Sequence, residues 1–308
     1  MKKFFIIIGL GLAVLSSCSS SDDLTDNTAA DENRIQLQSG LATTRAGQSI
    51  QSTEFDKGEQ VNVFLSEVVT VDQIASTKYN QPMTYVTSNT TGSMTPANSI
   101  FPYYPSNGRN VDLWACYPAS INQNSTTFTV ESNQTTKDGY KRSDLMFAVK
   151  LGISRQKEIV PITFYHKMAK VCINLTVPDG KDVSILDNSR VNITNVARTI
   201  ALKPSTQYIG TTSAELTNIG TVNASINGSL NCSAIIVPQT VEPGYFLEIR
   251  LSNGDILNYL LPQSITFAPG TVNTFAISVN EQNIKATYTV TPWDDTPTTM
   301  TGAISLDN

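Results

Sequence analysis

His166 is the only histidine in 308 residues. A Ser–His or Cys–His nucleophile, or a multi-histidine metal site, would have to be built around it. It sits in Tyr165-His166-Lys167 with no identifiable partner, and reads as a strand histidine bonded locally at a domain seam. Asp294 and Asp295 follow Trp293, and two carboxylates beside an aromatic ring are the raw material of glycoside hydrolysis or of a calcium site. Neighbouring residues on an extended chain point to opposite faces, so the pair cannot easily flank one bond. Bracketed by Pro292 and Pro297, it reads as a solvated turn. Cys116, Cys172 and Cys232 lie in apolar, strand-like stretches without CxxC or Cys/His spacing, and read as buried free thiols. Tyr103, Tyr104, Trp114 and Tyr117 offer rings for stacking on a sugar, but Trp114 and Tyr117 read as core and the loop around Tyr103 as partly exposed. No catalytic residue, metal ligand or cofactor site emerges, and the chain reads as non-enzymatic.

Cys18 carries a different chemistry. Lys2 and Lys3 precede the twelve apolar residues Phe4 to Leu15, the length of a signal-peptide core and too short to span a bilayer as a helix. Leu15-Ser16-Ser17-Cys18 then resembles a bacterial lipobox. Residues 1–17 are therefore expected to be removed and Cys18 to be acylated on sulfur and amino group. Two or three acyl chains anchor stably where one does not. Residues 18–33 are polar and read as a flexible tether, and the serines and acids after Cys18 resemble the surface-export signal of Bacteroidetes lipoproteins. Loss of Lys2 and Lys3 takes the net charge from −5 to −7. That balance excludes a general nucleic-acid binder, which needs a Lys/Arg excess to neutralise phosphates.

The elements that must position these residues are strands. Runs such as Gln60–Leu65, Thr127–Val130, Lys170–Val177 and Val191–Val196 alternate in polarity. Ser233–Val237, Tyr245–Leu251, Ile256–Leu261 and Thr274–Val279 continue the series, and Asn253-Gly254-Asp255 is a hairpin signal. There is no βαβ alternation, no GxGxxG before a helix and no P-loop. The fold class is all-β, read as two tandem antiparallel β-sandwich domains. The N-terminal one spans 34–160 and the C-terminal one 161–308.

Several patterns fit one family in their order. They are Thr43-Thr44-Arg45-Ala46, Phe55-Asp56-Lys57-Gly58-Glu59, Asp112-Leu113-Trp114-Ala115-Cys116-Tyr117-Pro118, Ser143–Ala148, Phe164–Lys170 and the closing Val290-Thr291-Pro292-Trp293. With the lipobox, this arrangement resembles the Bacteroidetes fimbrillin-like lipoproteins, the pilins of type V pili. The resemblance implies two transthyretin-like sandwiches, export as an outer-membrane lipoprotein, and a role at the cell surface as stalk, tip or anchor of an adhesive pilus. It implies two kinds of partner: other pilin subunits, and an Arg-specific maturation protease cutting here between Arg45 and Ala46. It also implies that loss of the N-terminal segment opens a groove filled by a strand from a neighbouring subunit.

The residues at both ends suit such an exchange. Ile35, Leu37, Ser39 and Leu41 share one face of a strand, the one to be displaced. Arg45 follows in a small, polar stretch suited to cleavage. Met300, Gly302, Ile304 and Leu306 likewise share a face, so the segment is either the donor strand or the last strand of its own domain. The alternative to a pilin is a monomeric surface lipoprotein that binds glycans.

Overall fold

The computed structural model describes residues 33–41, 55–68, 82–88, 92–122, 124–203, 208–212, 216–226, 229–280 and 283–293. The strands in chain order are β1 (Leu37–Leu41), β2 (Gln60–Glu67), β3 (Met83–Thr87), β4 (Ser93–Pro96), β5 (Val111–Tyr117), β6 (Thr127–Thr129), β7 (Met146–Ile153), β8 (Val160–His166), β9 (Ala169–Thr176), β10 (Arg190–Ala197) and β11 (Thr199–Lys203). They continue as β12 (Tyr208–Thr212), β13 (Leu216–Gly220), β14 (Val222–Ile226), β15 (Ser229–Ile236), β16 (Gln239–Val241), β17 (Gly244–Arg250), β18 (Ile256–Leu261), β19 (Ile265–Phe267), β20 (Thr271–Asn280) and β21 (Asn283–Pro292). Among the described residues α1 (Lys137–Arg142) is the one α-helix, capped by the Thr136 hydroxyl on Gly139 N.

The all-β expectation holds, and the alternating runs become strands. Tyr245–Leu251 and Ile256–Leu261 form the β17–β18 hairpin, with Arg250 opposite Ile256 and Gly254 at φ +93° in the connection. β8 shows why alternation makes a strand. Val160, Ile162, Phe164 and His166 are buried, while Pro161 and Thr163 between them are exposed.

One expectation is corrected. The N-terminal strands do not form an antiparallel sandwich. They run β1-β4-β3-β2-β5-β7-β8 around a closed barrel. Closure comes from β1, which pairs antiparallel with β4 and parallel with β8. Inward and outward residues alternate alike in a barrel and in a sandwich, so periodicity could not tell them apart. The C-terminal strands form a sheet β13-β10-β17-β18 and a sheet β14-β15-β9-β20-β21 around one shared core. Smaller ladders β12-β11-β6 and β16-β19 complete them. Here too one neighbour pair, β9 and β20, is parallel.

Two hydrophobic cores result. One fills the barrel and runs from Ile35 to Phe164. The other runs to Trp293 and takes in Phe64 and Cys116 from the barrel strands.

Candidate assembly site

β1 seats in the barrel wall as its sequence pattern demands. Ile35, Leu37, Ser39 and Leu41 are all buried, at 0, 3, 5 and 6 % exposure, while Gln36, Gln38 and Gly40 are half-buried. The β8 register sets Leu37 beside Val160 and Leu41 beside Phe164. On the other edge Leu37 lies opposite Met94 and Gln38 opposite Ser93. Further bonds extend the seat: Ile35 N donates to Pro102 O and Val160 N to Gln36 O, both at 2.8 Å, and Tyr104 N donates to Asn33 O at 2.8 Å. The Arg34 guanidinium lies 4.6 Å from the Phe101 ring centre.

The tightest point is Ser39. Its N–H and its hydroxyl both donate to Gly92 O, at 2.8 and 3.0 Å. Gly92 has φ +82°, and a Cβ there would lie 1.9 Å from Ser39 O. Only glycine permits that approach.

Where the described chain resumes after β1, a latch ties it down. Phe55 is buried, edge-on to Phe164 at 5.1 Å and tilted against Tyr117 at 5.2 Å. Lys141 Nζ of α1 bonds Asp56 Oδ2 and, at 2.5 Å, Glu59 Oε1; Lys137 Nζ also reaches Asp56, at 2.6 Å. Tyr117 Oη donates to Glu59 Oε2 at 2.9 Å, and the Thr87 hydroxyl donates to Asp56 O at 2.5 Å. Hydrogen bonds from Lys137 and Lys141 lower the Asp56 pKa below its ordinary value. Burial alone would lower Lys141, but its bonds to Asp56 and Glu59 outweigh that and raise it. Sequence reasoning saw the Asp56–Glu59 stretch but not this role, because Lys141 is some eighty residues away and carries no local signal.

His166 ends β8 and meets the last described residue. Its Nδ1 is 2.8 Å from Asp144 Oδ1, its ring stacks on Trp293 at 3.9 Å and 7°, and Lys170 Nζ lies 5.7 Å from the same indole. Burial lowers the Lys170 pKa. The structure shows the expected strand histidine, but its bond is to a buried carboxylate 22 residues away that the sequence did not point to. β21 ends at Pro292, and Trp293 N closes on Gly270 O at 2.7 Å.

Cys18, Arg45, Ala46, Met300, Ile304 and Leu306 lie outside the described residues, as do Asp294 and Asp295. Among the sugar-stacking candidates, Trp114 lies flat on Phe64 at 3.6 Å, Tyr104 and Tyr117 are buried, and Tyr103 is exposed. Cys116, Cys172 and Cys232 are free; Cys116 and Cys232 are buried as expected, which pushes them up to about 12, whereas Cys172 is only half-buried. Among the described residues no three His, Cys, Asp or Glu side chains converge to hold a metal, and no helix is long and apolar enough to cross a membrane.

The fimbrillin-like family pattern matches residues 44–293, and the chain belongs to that family. A solved Bacteroides uniformis protein named for a role in cell adhesion superposes with a TM-score of 0.64 at 20 % identity, covering 84 % of this chain and 98 % of its own. A similarly named Bacteroides ovatus protein gives 0.66 at 17 % identity, covering 85 % and 98 %. Both share the fold. Comparison with curated proteins finds no match.

Proposed function

We propose that this fimbrillin-like protein is a structural subunit of an adhesive cell-surface pilus, made as an outer-membrane lipoprotein and assembled by protease-triggered strand exchange. Acylated Cys18 holds the precursor at the membrane. An Arg-specific protease then cuts between Arg45 and Ala46. Because Cys18 and Ile35, Leu37 and Leu41 all lie on the N-terminal side of that bond, one cut severs both the lipid and β1 from the body. Met300, Ile304 and Leu306 of a neighbouring subunit then take the vacated groove.

The observation that carries this reading is the seat of β1. The chain's first described strand closes the barrel and fills part of its core, yet its covalent link to the body runs only through residues 42–54, which include Arg45. While the link is intact, β1 competes at the high effective concentration of an intramolecular strand. Once cut, it is a separate peptide that dilution removes. A donor strand regains about 1.5–3 kcal/mol for each large apolar side chain buried, plus the ladder bonds of two open edges. The Phe55–Lys141 latch supports the reading from the other side, since it keeps the body's new N-terminal region tied down when β1 leaves.

The test is controlled proteolysis. Trypsin should nick the folded precursor first at Arg45, leaving a body that begins at Ala46. Size-exclusion chromatography should then show polymer, and the same cut chain lacking residues 298–308 should stay monomeric. First cleavage inside the body with Arg45 intact, or undiminished polymer from the truncated chain, would defeat the proposal.

A further inference from the structure

The groove that β1 occupies is uneven along its inner row. Ile35, Leu37 and Leu41 fill large places. Between them the Ser39 place holds a small buried side chain, whose hydroxyl lies 3.0 Å from Gly92 O. A branched side chain at that level, nowhere open to solvent, would have to push the Gly92 carbonyl aside. From residue 35 to residue 41 the groove therefore reads large, large, small, large.

The inward-facing row of the C-terminal segment is Met300, Gly302, Ile304, Leu306: large, small, large, large. It is the same pattern backwards. We infer that the incoming strand runs antiparallel to the β1 it replaces, with Gly302 in the Ser39 place and Leu306, Ile304 and Met300 in the places of Ile35, Leu37 and Leu41. This inference rests on the assembly reading above and adds the direction, the register and the residue that sets them.

The rival placements fit worse. Inserted in the β1 direction without a shift, the segment sets Ile304 against Gly92 and leaves Gly302 in the large Leu37 place. Shifted so that Gly302 meets Gly92, it puts the Thr298 hydroxyl into the fully buried Ile35 place and carries Leu306 past the described groove. Backbone pairing does not oppose reversal. β1 already has one parallel and one antiparallel neighbour, so a reversed strand exchanges them, pairing antiparallel with β8 and parallel with β4.

Outward positions distinguish the placements. The β8 register sets Gly40 beside Thr163, whose side chain is exposed. The reversed strand brings Thr301 to the Gly40 place, the shifted forward strand brings Ala303, and the unshifted forward strand brings Ser305. Each can be trapped as an intersubunit disulfide by pairing a cysteine there with Thr163→Cys. In the Arg45-cut full chain, Thr163→Cys with Thr301→Cys should give a ladder of cross-linked oligomers on a non-reducing gel, and each single cysteine alone should give none. A ladder from Ala303→Cys or Ser305→Cys instead, or polymer with no cross-link at any of the three, overturns the inference. As a second arm, Gly302→Leu should cut polymer about ten-fold or more, the factor carried by each 1.4 kcal/mol of misfit, while Thr301→Leu on the outer face should not. Undiminished polymer from Gly302→Leu would also overturn it. Absence of polymer from the unsubstituted cut chain, or its persistence without residues 298–308, would instead bring down the assembly reading itself.

Discussion

Gly92→Ala is expected to loosen β1 while leaving the rest of the protein folded. The substitution asks alanine to adopt φ +82° and sets its Cβ 1.9 Å from Ser39 O, where real contacts do not occur. A left-handed conformation costs a non-glycine residue roughly 1–2 kcal/mol. Relieving the clash by moving the strands apart removes both Ser39 bonds to Gly92 O, each worth about 0.5–1.5 kcal/mol. Together the seat of β1 weakens by roughly 2–5 kcal/mol. If β1 opens as a local unit, its amide exchange should accelerate roughly 30- to 3,000-fold. Hydrogen exchange read by mass spectrometry on peptides covering residues 35–41 measures this, with β9 and β20 as internal references. Gly40→Ala in the same strand is the control: its Cβ would meet nothing nearer than Ile162 O at 4.0 Å, so exchange should stay unchanged. Unchanged protection of residues 35–41 in Gly92→Ala would refute the reasoning, as would an equal loss across the whole chain.

The latch predicts a pH window. Asp56 has a lowered pKa, so its stabilising contribution is present above the ordinary value of 3.8 and is lost as pH falls through the lower folded value. Lys141 has a raised pKa, so its contribution is full below 10.5 and is lost as pH rises through the higher folded value. Urea midpoints measured across pH should therefore fall at both ends, and Lys141→Gln should flatten both limbs; limbs of undiminished steepness in that variant would count against the latch. Trp293→Ala should lower stability by about 3–5 kcal/mol in urea titrations, since it removes a buried indole stacked on His166. An unchanged midpoint would show that Trp293 does not anchor the end of the body. Cys116 and Cys232, buried and pushed up to about 12, should resist iodoacetamide at pH 8 in the native protein and react in urea. Rapid native labelling at either site would contradict their burial.

Much of this molecule is legible from local pattern. A period of two decides which side chains share a face, so the inward row of Ile35, Leu37, Ser39 and Leu41 and the β17–β18 hairpin at Asn253–Asp255 follow from residue order. The same logic finds Cys116 and Cys232 as buried thiols and reads His166 as a strand residue, while Cys172, expected with them, is only half-buried because it alternates with the inward Val171 and Ile173. What alternation does not contain is the identity of a strand's neighbours. β1 pairs with β8, more than a hundred residues later, and does so in parallel. That pairing turns an expected sandwich into a barrel and makes the first strand part of a core. The grip of Lys141 on Asp56 and Glu59 and the stack of His166 on Trp293 are likewise meetings of distant residues that hold only in the folded chain. Gly92 is the sharpest case. In the sequence it is one glycine among seventeen, and only the approach of Ser39 to its backbone makes it the point where the seat of β1 is narrowest. Side-chain polarity along a strand is a local property, whereas register and contact distance arise from where the whole chain brings its strands together.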